Sequence, residues 1–191
     1  MNKEGDDGMP QQTLRKSRKL VLLLVLLLWM LLIFSFSAQP YQSQNMRPWL
    51  QSVLSFERIP RYLYHIQLHY GGHLISIKSL GLTGFVEFFI RKSAHVTEYA
   101  VLGLLVYQTL RLIFPRVWGI SLISISLCYL YAITDEYHQS FVVDRTPLFA
   151  DVLLDACGAI LGILSYMILS KLIVFLYQRI FVNLLKSKEE V

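Results

Sequence analysis

Cysteine is scarce in this 191-residue chain. There are two, Cys128 and Cys157, both inside apolar runs, which excludes a disulfide framework for the exposed segments. Charge is scarce as well. Only 16% of residues are Asp, Glu, Lys or Arg, against about 25% in soluble globular domains, whereas 54% are hydrophobic and the mean hydropathy is +0.48. This balance excludes an ordinary soluble enzyme. A nucleophile elbow, an HExxH pair and a phosphate-binding glycine loop are also lacking, so no cofactor is expected. The net charge of +5 would point to nucleic acid in a soluble chain, but here the basic flanks of membrane spans account for it and no nucleic-acid partner is expected.

Four apolar runs are present: Leu20 to Ala38, Ala94 to Ile113, Val117 to Thr134 and Leu148 to about Leu169. Runs of about 20 residues take the bilayer as solvent. They predict an all-α membrane protein, a four-transmembrane-helix bundle with a small extracellular loop that contains a β-hairpin. The expected organisation is a basic cytoplasmic tail over 1–19, a membrane domain over 20–170 that includes the extracellular loop 39–93, and a cytoplasmic interfacial helix and tail over 171–191. Eleven of the eighteen Lys and Arg fall in the segments that this topology places inside, among them Arg15, Lys16, Arg18, Lys19, Arg111 and Arg116. Both termini are therefore expected to be cytoplasmic. The first run exceeds the roughly 7–15 apolar residues of a signal-peptide core, which favours a retained anchor over a cleaved signal despite the small residues Ser35, Ser37 and Ala38.

The long loop holds Pro40, Pro48 and Pro60 and then a hairpin signal. Tyr62 to Tyr70 alternates, Gly71 and Gly72 supply the positive φ of a two-residue turn, and His73 to Lys78 alternates back. Pairing outward sets Leu68 opposite Ile75 and Ile66 opposite Ile77, with Gln67 opposite Ser76 and His65 opposite Lys78 on the other face. His65, His69 and His73 would form a metal-binding stripe on a helix. On the hairpin His73 turns to the opposite face, so solvent-facing histidines are expected instead.

The most informative residues sit where the last three spans meet the outer surface. Helical spacing places His95, Glu98 and Tyr99 on one face of the second span, beside Arg91 and Lys92. The third span ends in Asp135, Glu136 and Gln139. The fourth opens with Asp144, Arg145, Thr146 and Pro147, where Thr146 can cap and Pro147 suits the first helical position. Asp151, Asp155, Gly158 and Gly162 then share a face, and the two glycines permit close approach of another helix. Two readings of these charges stand side by side. One is an ion-paired network that clamps three helices, with Arg145 bridging carboxylates. The other is an outward-facing pocket that binds a polar or phosphorylated group, or that uses Glu98, Glu136 or Asp151 as a general base. A divalent cation on three carboxylates is a further alternative, although no metal is expected.

At these residues the chain resembles the VanZ-like family of bacterial membrane proteins. Lys92, His95 and Tyr99 match a block that opens one helix, Glu136 and Gln139 a block that closes the next, and Arg145, Asp151 and Gly158 a third. Phe34 to Gln39 resembles the end of the first span in many members. One departure is Asp155, where many members carry Asn. The family takes its name from a protein associated with low-level resistance to teicoplanin-type lipoglycopeptides, so the resemblance implies a multi-pass bacterial membrane protein with a cell-envelope role. A polar pocket acting on or shielding a membrane lipid or lipid-linked cell-wall precursor would draw on Arg91, Lys92, His95, Tyr99, Glu136, Gln139, Arg145, Asp151 and Asp155. The alternative is a membrane hydrolase or transferase that uses the carboxylates on a lipid headgroup.

Overall fold

The computed structural model describes residues 11–54 and 61–189. Lys3 of the expected tail, Arg58 and Pro60 of the loop, and Glu190 lie outside the described residues. Five α-helices and one hairpin make up the fold: α1 (Gln11–Ser37), α2 (Arg47–Val53), β1 (Gln67–Tyr70), β2 (His73–Ser76), α3 (Ile77–Ile113), α4 (Ile120–Gln139) and α5 (Phe149–Glu189). Short 3-10 turns at Tyr41–Gln44 and Arg61–His65 join them.

Among the described residues three helices are long and apolar enough to cross a membrane: Gln12–Ser37, Ile77–Ile113 and Phe149–Ile180. Their large apolar side chains face outward, as with Leu28 at 64% and Ile168 at 65% exposure. Water would penalise so continuous an apolar surface, whereas lipid does not. The expected third span is a helix, α4, but its 20 residues include Asp135 and Glu136. That leaves too short an apolar stretch to meet the same standard.

The second span starts well before the expected Ala94. Ser76 opens α3 through a capping box, its hydroxyl accepting the Ser79 N–H while the Ser79 hydroxyl accepts the Ser76 N–H. One turn later Gly81, at φ 70°, bends the chain before the helix resumes, a conformation that side chains with a Cβ resist. Lys78, Glu87, Arg91 and Lys92 interrupt the apolar pattern here, which is why this stretch reads as loop in the sequence. At the other end of the bundle α5 continues past Lys171 without a break to Glu189, so the expected interfacial helix is the extension of the last span.

The hairpin keeps the expected turn and inner register. Gly71 and Gly72 have φ of 56° and 83°, and the pairs run Tyr70 with His73, His69 with Leu74, Leu68 with Ile75 and Gln67 with Ser76. The two outer pairs do not form, because His65 ends a 3-10 turn and Ile77 already begins α3. His69 and His73 fall on opposite faces, and the described residues bring no three His, Cys, Asp or Glu together in a way that could hold a metal ion. Ile75 and Ile77 seat the hairpin on Leu82 and Phe85 of α3.

α3 and α5 make the closest contact. Gly158 faces the backbone of Val96, Gly162 that of Ala100, and Gly103 that of Ala159. Residue numbers rise together on the two helices, so they run parallel. α1 runs against them, with its Trp29 indole donating to the Glu98 carbonyl at 3.0 Å. α4 runs against them too, since Ile120 packs with Tyr107 and Ile163, and Cys128 with Leu102 and Val106. The result is an up-down-up-down bundle with a polar end, at Ser37, Lys92, Gln139 and Asp151, and a basic end at Arg15, Lys19 and Arg116.

A Cβ on Gly162 would lie 1.9 Å from the Ala100 carbonyl oxygen. We therefore expect Gly162→Ala to destabilise the bundle by about 1–3 kcal/mol, read as a lower melting temperature in detergent. Leu161→Ala at the adjacent exposed position should leave the melting temperature nearly unchanged.

Candidate functional site

The polar end is roofed by the segment after α1, and a single carboxylate fastens it there. Glu87, 1% exposed on α3, accepts the Tyr41 hydroxyl at 2.8 Å, the Met46 N–H at 3.0 Å and the Arg47 guanidinium at 2.8 Å. Burial and this bond to a carboxylate raise the Tyr41 pKa above its ordinary value, so the phenol remains a donor at neutral pH. Arg145, in the α4–α5 connection, fastens the same segment from the other side. It donates to the Gln39 carbonyl at 3.1 Å, to Gln44 Oε1 at 2.7 Å and to Gln139 Oε1 at 3.2 Å. Arg145 therefore does not bridge carboxylates in the way the clamp reading has it: neutral amide and carbonyl oxygens engage its Nε, Nη1 and Nη2 and leave one Nη1 N–H free.

Beneath the roof the helices pair their charges one to one. Lys92 of α3 forms an ion pair with Asp151 of α5, and the Tyr70 hydroxyl of the hairpin donates to the same carboxylate. Burial and then this bond push the Tyr70 pKa upward, which keeps its proton available to Asp151. Lys92 also sits 4.7 Å from the centre of the Tyr70 ring, a cation-π contact. One turn deeper, His95 Nδ1 lies 3.4 Å from Asp155 Oδ1. Asp135 takes the Gln139 amide at 3.4 Å and the Tyr99 hydroxyl at 3.5 Å. Glu136 accepts the Leu148 N–H at the start of α5, which satisfies one of the donors that a helix leaves free at that end.

Two cavities remain, of ≈ 590 and ≈ 370 Å³, and Arg91, His95 and Arg145 line both. Lys92, Gln139 and Asp151 face the larger one, while Glu98 and Asp135 face the smaller. Tyr99 and Asp155, at 0% and 2% exposure, lie beneath and line neither, and Glu136 lines neither. Of the three expected general bases, Asp151 is engaged by Lys92 and Tyr70, and Glu136 by a backbone donor. The Glu98 carboxylate makes no hydrogen bond or ion pair among the described residues. The carboxylates turn to separate partners, so the three-carboxylate cation site does not form.

Glu87, Tyr41, Arg47 and Tyr70 are absent from the expected site. Glu87 carried a signal, since it interrupts the apolar run Gly84 to Ile90 and an ionisable residue in such a run marks a polar contact by default.

The family model described as VanZ/LLP1 matches residues 22–170 of the chain. No curated protein and no solved structure matches it.

The Lys92–Asp151 pair is nearly enclosed, with side-chain exposures of 19% and 11%. Lys92→Met alone should cost about 3 kcal/mol, since removing one partner leaves a buried charge without compensation. Lys92→Met with Asp151→Asn should recover part of that loss. A double-mutant cycle on unfolding in detergent checks this, and additive losses would show that the pair contributes nothing specific.

Proposed function

The chain belongs to the VanZ/LLP1 family, and from that premise we propose that its polar cleft faces the outside of the cell and acts on or shields a lipid-linked component of the bacterial cell envelope. The observation that carries this reading is the meeting of two cavities at Arg91, His95 and Arg145, under a roof that Glu87 and Arg145 hold in place. A merely structural charge cluster would close over itself. Here Arg91 lines both cavities, and its Nη1 is buried without an acceptor.

In this proposal α4 crosses the membrane with the other three long helices, its two carboxylates reaching headgroup depth. Both termini are cytoplasmic. The basic end, with Arg15, Lys16, Lys19 and Arg116 around one recess, fits the cytoplasmic side by the positive-inside rule. By sequestering an envelope component the protein lowers susceptibility to teicoplanin-type lipoglycopeptides.

Two measurements test the proposal. A reporter fused after Val191 should read as cytoplasmic, and an external reading overturns the topology. In a glycopeptide-sensitive bacterium the wild type should lower teicoplanin susceptibility, and Arg91→Gln at equal membrane abundance should lose the effect. Arg91 forms no ion pair among the described residues, so its removal strands no charge. Equal protection by wild type and variant, or protection by neither, sinks the cleft as the source of the function.

A further inference from the structure

The polar cleft and an apolar groove deeper in the bundle lie on the same faces of three helices. On α3, His95 and Glu98 line the smaller cavity, and Leu102, Val106 and Thr109, beginning one turn deeper, line a separate groove of ≈ 450 Å³. On α1 the cavity takes Ile33 and Ser37 while the groove takes Leu26 and Met30. On α4 Asp135 lines the cavity, and Leu127 and Tyr131 line the groove. Steps of three and four residues keep each series on one helix face. Each stripe is thus polar at one end and apolar at the other. From His95 to Thr109 the helix rises about 21 Å, more than the about 15 Å of hydrocarbon in one leaflet.

The polar part holds two guanidiniums that form no ion pair with a carboxylate among the described residues. The Arg91 guanidinium lies 4.6 Å over the Tyr41 ring, with Nη1 buried and lacking an acceptor. Arg145 donates only to neutral oxygens. Burial first and the neighbouring Arg91 charge second hold its pKa below the ordinary value, so the two guanidiniums are close enough to repel. Crowded guanidiniums without a carboxylate between them attract an oxyanion, which they bind through charge-assisted N–H bonds. Glu98 and Asp135 line the same cavity and disfavour a bare anion, yet their carboxylates accept bonds from headgroup hydroxyls.

Resting on the cleft reading above, we infer that cleft and groove form one site for a single anionic phospholipid with a hydroxylated headgroup, its phosphate between Arg91 and Arg145 and one acyl chain between α1, α3 and α4. Charge fixes the head and the apolar stripe fixes the chain. A soluble anion would use only the first.

The test titrates the full-length chain in detergent with dioleoyl phosphatidylglycerol, dioleoyl phosphatidylcholine and inorganic phosphate, followed by native mass spectrometry. The glycerol lipid should bind about tenfold more tightly than the choline lipid, whose quaternary ammonium offsets the phosphate charge and offers Glu98 and Asp135 no hydroxyl to accept from, and phosphate should displace it poorly. Arg91→Gln should abolish that preference. Met30→Trp, which fills the groove, should weaken the glycerol lipid without restoring the choline lipid. Equal binding of the two lipids, or displacement by phosphate alone, overturns the inference, and both are read on the wild-type protein whatever the variants' folding. A chain that binds this lipid but leaves teicoplanin susceptibility unchanged removes the proposed function and leaves this site standing. Protection without lipid preference does the reverse.

Discussion

The close approach of α3 and α5 sets the geometry of everything at the polar end. Gly103, Gly158 and Gly162 bring the two backbones together where any Cβ would meet a carbonyl oxygen, and dispersion between such closely packed helices is a main source of association in lipid, where the hydrophobic effect between helices is lost. This contact also fixes register. With Val96 against Gly158 and Ala100 against Gly162, the turn above necessarily brings His95 to Asp155 and Lys92 to Asp151. Ion pairs alone would not choose that register, because long side chains such as Lys92 reach a carboxylate from several positions.

Much of this was legible in the sequence for specific reasons. Gly71 and Gly72 can adopt positive φ together, and alternation on both sides leaves only one inner register that buries Ile75. Gly158 and Gly162 sit on the face of the two aspartates, so small residues and charge pointed to the same helix contact. The start of α3 was not legible. Hydropathy averages along a run, and Lys78, Glu87, Arg91 and Lys92 lower that average although the last three turn toward a partner or a cavity. Once folded, Glu87 is neutralised by Arg47 and bonded by two further donors, Tyr41 and the Met46 N–H, and the segment is as much helix as the apolar turns beyond Ala94. α4 shows the same effect from the opposite side, since Asp135 and Glu136 shorten its apolar stretch while Asp135 lines the smaller cavity and Glu136 accepts the Leu148 N–H.

Of the two readings of Arg145, the one in which it bridges carboxylates fails because net charge counts do not specify acceptors. Carboxylates are abundant nearby, but Asp151 is taken by Lys92, Glu136 by the Leu148 N–H and Glu87 by Arg47. Arg145 is left with glutamine amides and a backbone carbonyl. A guanidinium satisfied only by neutral oxygens keeps its full charge available to the cleft. The bundle thus separates its cations into two groups, those consumed in holding helices together and those left facing open volume.

That separation bears on how the cleft can act. A site assembled from free loops would lose binding energy in ordering them, whereas a site whose walls are already fixed does not. Here the walls are helices locked by glycine contacts, and the roof is tied at Glu87 and again at Arg145. The segment from Gln39 to Arg47 is bonded to the rest of the bundle largely through those two side chains. The roof over the cleft therefore hangs on two anchors, while the position of Arg91 depends on the rigid α3–α5 contact, so the walls and the cover of the cleft are held by separate interactions.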